Sequence, residues 1–586
     1  MQPIRPLRAS TLRVGGLLSS TGLPIPRTNQ AHGQFAQVIQ HSHASLVQTR
    51  HNTGGVSVNG YPRRVFKRRV QRIEKAVTEP YPRLESSEKT LTTGEFRSRY
   101  YRLANNETLE NQKVILTGRV RTLRLIGSNL IFFDLVQGDD KVQIMCNRRL
   151  LEDVPPATFK QFYRLLRRGD AFSVTGVPTK TDKGELTLLA SEVPRLMSAC
   201  LHDIPLDAKG QENSPYPRHV QFLADQEMKY VLRARSAIIQ YIRQFFLDRA
   251  FMEVNTPIIE AVAGGAIARP FHTTATEFPD RQLSLRIAPE LWLKRLVIGG
   301  FDRVFEIGPS FRNEGLDKTH NPEFTTCEFY QAYANLEDLM STTEQLLGGL
   351  ADHIRELHEN SPYTEKDSLT PFCQYDFSGP FRRIDFIPAI EKEIQGKLPD
   401  LTSPTALEEV IEIFRDIEHP LPDKVTLPRL LDELCSIYVE PQCINPTFIV
   451  NPPECLSPLS KTFVHPTTGQ RVAARGELFI DGREMVNTYE EENSPFEQRR
   501  KFEDQVRYSK AASESEKIDE SYLEALEWGL PPTGGWGCGI DRLCMLFTGK
   551  TRIGDILPFG NLRRVSSPTI AMPINQAIED EEDWPE

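Results

Sequence analysis

No run of eighteen or more apolar residues occurs in the 586-residue chain, so no segment is expected to cross a membrane as a helix. The nine cysteines are scattered singly. With no CxxC pair and no Cys/His cluster at zinc-ligand spacing, a structural zinc site is excluded and a reduced compartment is expected. Neither a GxGxxG fingerprint nor a GxxxxGK phosphate loop is present, and the βαβ rhythm of a dinucleotide-binding fold is missing. A nucleotide bound here must therefore be held by side chains. Acids are missing from one stretch: Met1 to Ile73 carry eleven Arg/Lys and no Asp or Glu, although the whole chain has a net charge of -9. An acid-free, Arg-rich, Ser-containing N-terminus reads as a mitochondrial transit peptide. The alternative is a basic arm that touches nucleic acid.

What is present divides along the chain. After the 1–73 arm, residues 74–109 read as a helical extension. Residues Arg63 to Lys75 space Val65, Phe66, Val70 and Ile73 among basic residues, as a short basic helix that either contacts RNA or presents a solvated face. From 110 to 212 the texture is β. Segments beginning at Val114, Leu130, Lys141, Asp170 and Gly184 read as five short strands, with a helix near Ala157–Arg168 before the fourth. That order fits an OB-type barrel, a fold that often binds oligonucleotides. Residues 213–570 form a larger domain. It opens with a helix carrying Val231, Leu232, Ile238, Ile239, Ile242, Phe245 and Phe246 at helical spacing, then a strand over Phe251–Ile259. Residues 356–428 are polar and proline-bearing and read as an insertion in this domain. Residues 571–586 form an acidic tail.

Three separated segments carry the chemistry: the helix and strand ending at Pro257, Phe311-Arg312-Asn313-Glu314, and the glycine-rich run Gly534 to Leu543. In this order they resemble motifs 1, 2 and 3 of class II aminoacyl-tRNA synthetases. With Arg286-Ile287-Ala288-Pro289-Glu290-Leu291 and His320-Asn321-Pro322-Glu323-Phe324, the resemblance narrows to the lysyl-tRNA synthetases and covers nearly the whole chain from residue 110 to about 563. It implies an α+β protein: an OB-type barrel, then a catalytic domain on an antiparallel sheet with flanking helices. It also implies a homodimer, L-lysine, ATP and tRNA(Lys) as partners, Mg²⁺, and, with the N-terminal arm, service in the mitochondrial matrix.

The site residues follow from the same resemblance. Joining a carboxylate to the α-phosphate of ATP brings two anions together, so fixed positive charge is needed between them. Arg312 suits that position, and Arg542 would hold the γ-phosphate. Phe324 would stack on adenine, with Glu314 accepting from its exocyclic amine. His320 would reach the outer phosphates, or serve only as a turn residue. Gly535, Gly537 and Gly539 would let the backbone approach the nucleotide. Glu477 and Glu484 would hold Mg²⁺ through hard oxygen ligands. A lysine ammonium must be met by acids, since an unpaired buried charge is costly. Glu328, Tyr330 and Glu491 would supply two acids and a phenol, Tyr489 an apolar wall, and Asn487 a hold on the substrate carboxylate. Glu290 and the Gly265 backbone would take the α-amine. In the barrel, Phe132 would stack on the anticodon and Gln143 would read the edge of its central base, with Glu185 as a further contact. Core packing competes for Phe132, because Phe133 is its neighbour and only one can face outward. Thr319 departs from the pattern, standing where many bacterial members have an arginine.

Overall fold

Alternation builds the first domain. In the computed structural model, which describes residues 63–84, 90–151, 154–205, 216–262, 264–265, 268–361, 370–422, 424–508 and 518–566, every second residue of the strand Leu130–Gln137 is buried. Ile131, Phe133 and Leu135 point into the core, and Phe132 and Asp134 point away from it. Five strands, β1 (Val114–Ile126), β2 (Leu130–Gln137), β3 (Asp140–Asn147), β4 (Ala171–Lys180) and β5 (Leu186–Ala190), pair in a closed circuit. β1 pairs with β2 and β4, β2 with β3, β3 with β5, and β5 with β4; only the β3–β5 pairing is parallel. The helix Pro156–Leu165 precedes β4, as expected. The transit-peptide reading of the arm and the acidic tail fall outside the described residues, apart from the end of the arm.

That end is the helix Arg63–Ala76. Its Arg69 is fully buried and donates two 2.8 Å hydrogen bonds to Asp170, in the turn that leads into β4. One basic residue of the run is thus an anchor, while Lys67, Arg72 and Lys75 stay exposed.

The second domain is organised on an eight-stranded sheet: β6 (Met252–Glu253), β7 (Arg303–Phe311), β8 (Glu323–Ala332), β9 (Arg382–Asp385), β10 (Thr447–Val450), β11 (Arg475–Ile480), β12 (Arg483–Glu490) and β13 (Thr533–Gly539). Their order across the sheet is β9-β10-β11-β12-β13-β8-β7-β6. The central pairs are antiparallel, with parallel pairs only at the edges. The helices Glu227–Leu247, Leu336–Glu359 and Ile540–Thr548 cover one face, around Phe246, Phe329 and Trp536.

One expectation changes. Phe251–Ile259 is not one strand: β6 stops at Glu253, and Ile259–Glu260 joins a separate three-stranded sheet. Pro257 has no N–H for a ladder, and Thr256 just before it gives its N–H and hydroxyl to Glu306 at 3.0 and 2.7 Å. Of the stretch read as an insertion, the described strand β9 is the sheet's edge, and the helices Phe386–Glu393 and Ala406–Asp416, with Leu427–Tyr438 following, share a core with Ile449 of β10 and Phe479 of β11.

Candidate active site

The register lays the site out in rungs. One rung runs Tyr330–Gly535–Tyr489–Arg475 across β8, β13, β12 and β11; the next runs Glu328–Gly537–Asn487–Glu477 across the same strands. Residues two apart in a strand share a face, so both rungs present their side chains together.

At the β8 end the rungs form a buried cage. Lys294 (0% exposed), Glu491 (2%), Glu290 (3%) and Glu328 (8%) lie together. Lys294 donates to Glu290 at 2.7 Å and is ion-paired with Glu491. The Tyr330 hydroxyl donates to Glu328 at 3.3 Å and the Tyr489 hydroxyl to Glu290 at 2.8 Å. Tyr489 is therefore a hydrogen-bonding member of the cage as well as a wall. Burial above all, then the Glu290 charge, pushes the Glu328 carboxyl up to about 8. Burial also pushes the Tyr330 and Tyr489 phenols up. Gly265, at φ +87°, lies against Glu290: a Cβ there would come within 3.1 Å of the Glu290 Cβ. The two residues expected at the α-amine are thus neighbours.

Gly535 has a different task from the one expected. A Cβ on it would stand 1.8 Å from Glu491 Oε1 and 2.8 Å from Tyr330 Cε1, so its bareness makes room for the acid cage. Gly537 and Gly539 would make only ordinary contacts, at 3.7 Å to Glu328 and 3.8 Å to Arg542.

At the β11 end lies a cavity of about 540 Å³ lined by Thr319, Arg475, Glu477, Glu484, Arg542 and Asp432, among others. Glu477 is ion-paired with Arg475, and Glu484 accepts from Arg542 at 3.2 Å. Burial chiefly, opposed by Arg475 and aided by Glu484, pushes Glu477 up to about 7. Arg475 also donates to Asn487 at 2.9 Å, which fixes the side chain expected at the substrate carboxylate. Arg542 reaches His320 at 3.2 Å, and the other His320 nitrogen meets Asp317 at 2.8 Å. Burial works against it, but hydrogen bonds from Thr319 and His320 hold Asp317 down at about 2. His320 is thus both a turn residue and a neighbour of Arg542.

The guanidinium carbon of Arg312 sits 5.2 Å from the Phe324 ring centre, and its buried Nε has no hydrogen-bond partner among the described residues. A buried guanidinium nitrogen without an acceptor is costly, and an anionic ligand would satisfy it. Glu314 is exposed nearby in sequence. Asp541 takes Thr325 N–H at 2.8 Å and Arg235, tying the motif 3 helix to β8.

Glu477 and Glu484 both line this cavity, and among the described residues no three or more His, Cys, Asp or Glu side chains gather to hold a metal alone; Mg²⁺ usually takes one or two carboxylates and completes its shell with phosphate and water, which this pair could serve. Lys294 and Arg475 were not expected at the site. Arg475 had a legible signal, two residues before Glu477 on one strand. Lys294 had a weaker one, four residues after Glu290 in a helix.

In the barrel, Phe133 is core and Phe132 faces outward, half-buried. Phe132 pairs with Met145, and Gln143 stands two residues along β3 on the same face. Gln143 is not a free reader, however. Its amide accepts from Arg124 at 3.1 Å and donates to Thr187 at 2.9 Å. Glu185 is exposed just before β5.

Residues 211–563 match the family of class II tRNA synthetases for D, K and N, and residues 114–196 match the OB-fold nucleic acid binding domain. The chain is 39% identical over 493 residues to a mitochondrial lysine–tRNA ligase of Schizosaccharomyces pombe, spanning 83% of this chain and 91% of the relative. A lysine–tRNA ligase of Cladosporium cladosporioides, cla4, is 38% identical over 508 residues, 84% of each chain. One from Campylobacter jejuni is 37% identical over 507 residues, 85% of this chain and 97% of the relative.

Proposed function

Because the chain belongs to the class II lysyl-tRNA synthetases, we propose that the two ends of its site divide the reaction, lysine at the acid cage and Mg-ATP at the cavity. The enzyme activates L-lysine with ATP and transfers the lysyl group to tRNA. The observation that carries the division is the buried set of Glu290, Glu328 and Glu491 with Tyr330 and Tyr489, at one end of the same rungs whose β11 end lines the arginine- and carboxylate-lined cavity.

In this reading the substrate ammonium meets Glu328, Tyr330 and Glu491, and the α-amine meets Glu290 and the Gly265 backbone. Asn487 and Arg312 hold the substrate carboxylate. Arg312 faces the α-phosphate on its other side, so it offsets the repulsion of the two reactants. A carboxylate oxygen attacks the α-phosphorus, the bond to pyrophosphate breaks, and lysyl-adenylate forms. The terminal ribose hydroxyl of tRNA then attacks the lysyl carbonyl carbon, and AMP leaves. The substrate carboxylate is itself the nucleophile, so positioning and electrostatics carry the rate. Arg542 and His320 face the outer phosphates, Phe324 stacks on adenine and Glu314 accepts from its amine. Mg²⁺ held by Glu477 and Glu484 would offset the phosphate charge.

Phe132 meets an anticodon base by stacking. Gln143, with its amide oriented by Arg124 and Thr187, offers its remaining N–H to a base edge, and Glu185 adds a contact at the rim. The exposed motif 1 region, with Met252, Ile258 and Ile259, serves a homodimer. The acid-free arm supports mitochondrial service, as do relatives named as mitochondrial.

Lysine-dependent exchange of pyrophosphate into ATP tests the substrate; equal exchange with aspartate or asparagine would overturn it. Charging of separate mitochondrial and cytosolic tRNA pools, with a fusion of residues 1–73 to a reporter, tests the compartment. A reporter that stays cytosolic removes that assignment.

A further inference from the structure

The acid cage already contains a cation. Lys294 is fully buried on the helix Glu290–Ile298, and every element packed around it contributes a polar or aromatic group. Glu290 comes from its own helix one turn back, Glu491 from just beyond β12, Tyr489 from β12 and Tyr330 from β8. Tyr522 comes from the helix Glu520–Glu527. The ammonium lies 5.7 Å from the Tyr489 ring centre and 5.9 Å from those of Tyr330 and Tyr522. Glu328 shares the cage through its hydrogen bond to Tyr330.

Two features mark this ammonium as a fixture. Its backbone is in a helix whose preceding turn carries its partner Glu290, and its side chain is fully buried. Beyond the ion pair to Lys294, neither oxygen of Glu491 has a hydrogen-bond partner among the described residues. That carboxylate is oriented but not saturated. Three buried carboxylates face one buried ammonium; of the two guanidinium groups that also act on Glu328, Arg286 is paired with Glu306 and Arg312 is assigned to the substrate carboxylate, so with all three acids ionised the cage itself carries a surplus of two negative charges. Free lysine brings two ammonium groups, on its α and ε carbons.

We propose that Lys294 is a positioning residue, a built-in counter-ion that holds Glu290 and Glu491 apart and sets the cage's surplus negative charge at the two that lysine neutralises. The proposal rests on the lysine reading above. Without Lys294, three acids would repel one another in a dry pocket, and the cheapest relief is to bind protons. A protonated carboxyl no longer attracts an ammonium. Lys294 thereby draws charge onto the two carboxylates it touches, Glu290 and Glu491, without touching the reacting atoms, and Glu328 gives up its proton when the substrate ammonium arrives. Burial opposes its charge, but Glu290 and Glu491 more than restore it, so the Lys294 ammonium titrates above the ordinary lysine range.

The test compares full-length wild type, Lys294→Met and Lys294→Arg by pyrophosphate exchange from pH 6 to 9. Lys294→Met is expected to raise the KM for lysine at pH 7 by about 30-fold or more. Lysine use should recover as pH rises, with the KM for ATP nearly unchanged. A lower lysine KM in Lys294→Met would show that Lys294 competes with substrate, and would overturn the proposal. So would equal rises in both KM values, or an unshifted pH profile. If Lys294→Met does not fold, Lys294→Arg decides: it keeps the charge, so its pH profile must match wild type, and a shifted one refutes the proposal. Wild type without lysine-dependent exchange would instead refute the lysine reading itself.

Discussion

Gly535→Ala is a one-methyl change whose effect the structure distinguishes from that of its neighbour. The new Cβ would stand 1.8 Å from Glu491 Oε1 and 2.8 Å from Tyr330 Cε1. A surface glutamate would swing aside at little cost. Glu491 is ion-paired to buried Lys294, and Tyr330 is packed in the core, so neither can yield freely. Overfilling a packed site costs about 1–3 kcal/mol, and about 1.4 kcal/mol is tenfold in an equilibrium. The kcat/KM for lysine in pyrophosphate exchange should therefore fall by roughly 5- to 150-fold. The KM for ATP should hold within about twofold, because Glu477 and Arg542 lie at the other end of the rungs. Gly537→Ala is the internal control, since its Cβ would meet only the Glu328 side chain at an ordinary 3.7 Å. Lysine use unchanged in Gly535→Ala, or lysine and ATP impaired alike, would refute the assignment of Gly535 to the lysine cage.

Four further outcomes are expected. With the Glu328 carboxyl raised to about 8, an ammonium must displace a proton at neutral pH. Lysine affinity should therefore rise as pH approaches 8, and calorimetry in two buffers of different ionisation heat should show proton release; affinity independent of pH contradicts this. For stability the same group acts in the opposite sense. Between its ordinary 4.5 and about 8 the folded protein keeps a proton that the unfolded chain gives up, so its contribution to lysine-free stability falls as pH rises through that window. Glu306→Gln strands the buried Arg286, which Glu306 meets at 2.6 Å; unfolding should be easier by about 3–5 kcal/mol, seen as a lower denaturation midpoint. Phe132→Ala should weaken tRNA use by about 1–3 kcal/mol, the worth of one base stack, while tRNA-independent exchange stays unchanged; a loss in both assays would mean that Phe132 only supports folding.

The sequence made the barrel legible as five short strands with a helix before the fourth, but Leu130–Gln137 is apolar almost throughout, and only the fold's alternating burial puts Phe133 in the core and Phe132 outside. It made the site legible through the order and spacing of the motifs that carry Arg312, Glu328 and Glu491. It could not show pairing. Lys294 in the run Glu-Leu-Trp-Leu-Lys-Arg reads as one of two surface cations; only the fold reveals that Lys294 is buried while Arg295 turns to Trp292 and Ser521. The glycines of Gly534–Gly539 read as room for a ligand, and the cross-strand register gives Gly535 to Glu491 instead. Gln143 looked free until Arg124 and Thr187, both distant in sequence, closed on its amide. Residues 356–428 lacked a recognisable motif because their contribution is an edge strand and a helical flank.

The central claim is that buried carboxylates select the ε-ammonium of lysine. Pyrophosphate exchange with lysine and with norleucine, which has a methyl where lysine has its ammonium, measures it directly in wild type and Glu491→Gln. The account predicts strong preference for lysine in wild type, and a preference reduced by at least about tenfold in Glu491→Gln with the KM for ATP unchanged. Comparable use of the two amino acids by wild type, or a preference untouched by Glu491→Gln, would contradict it.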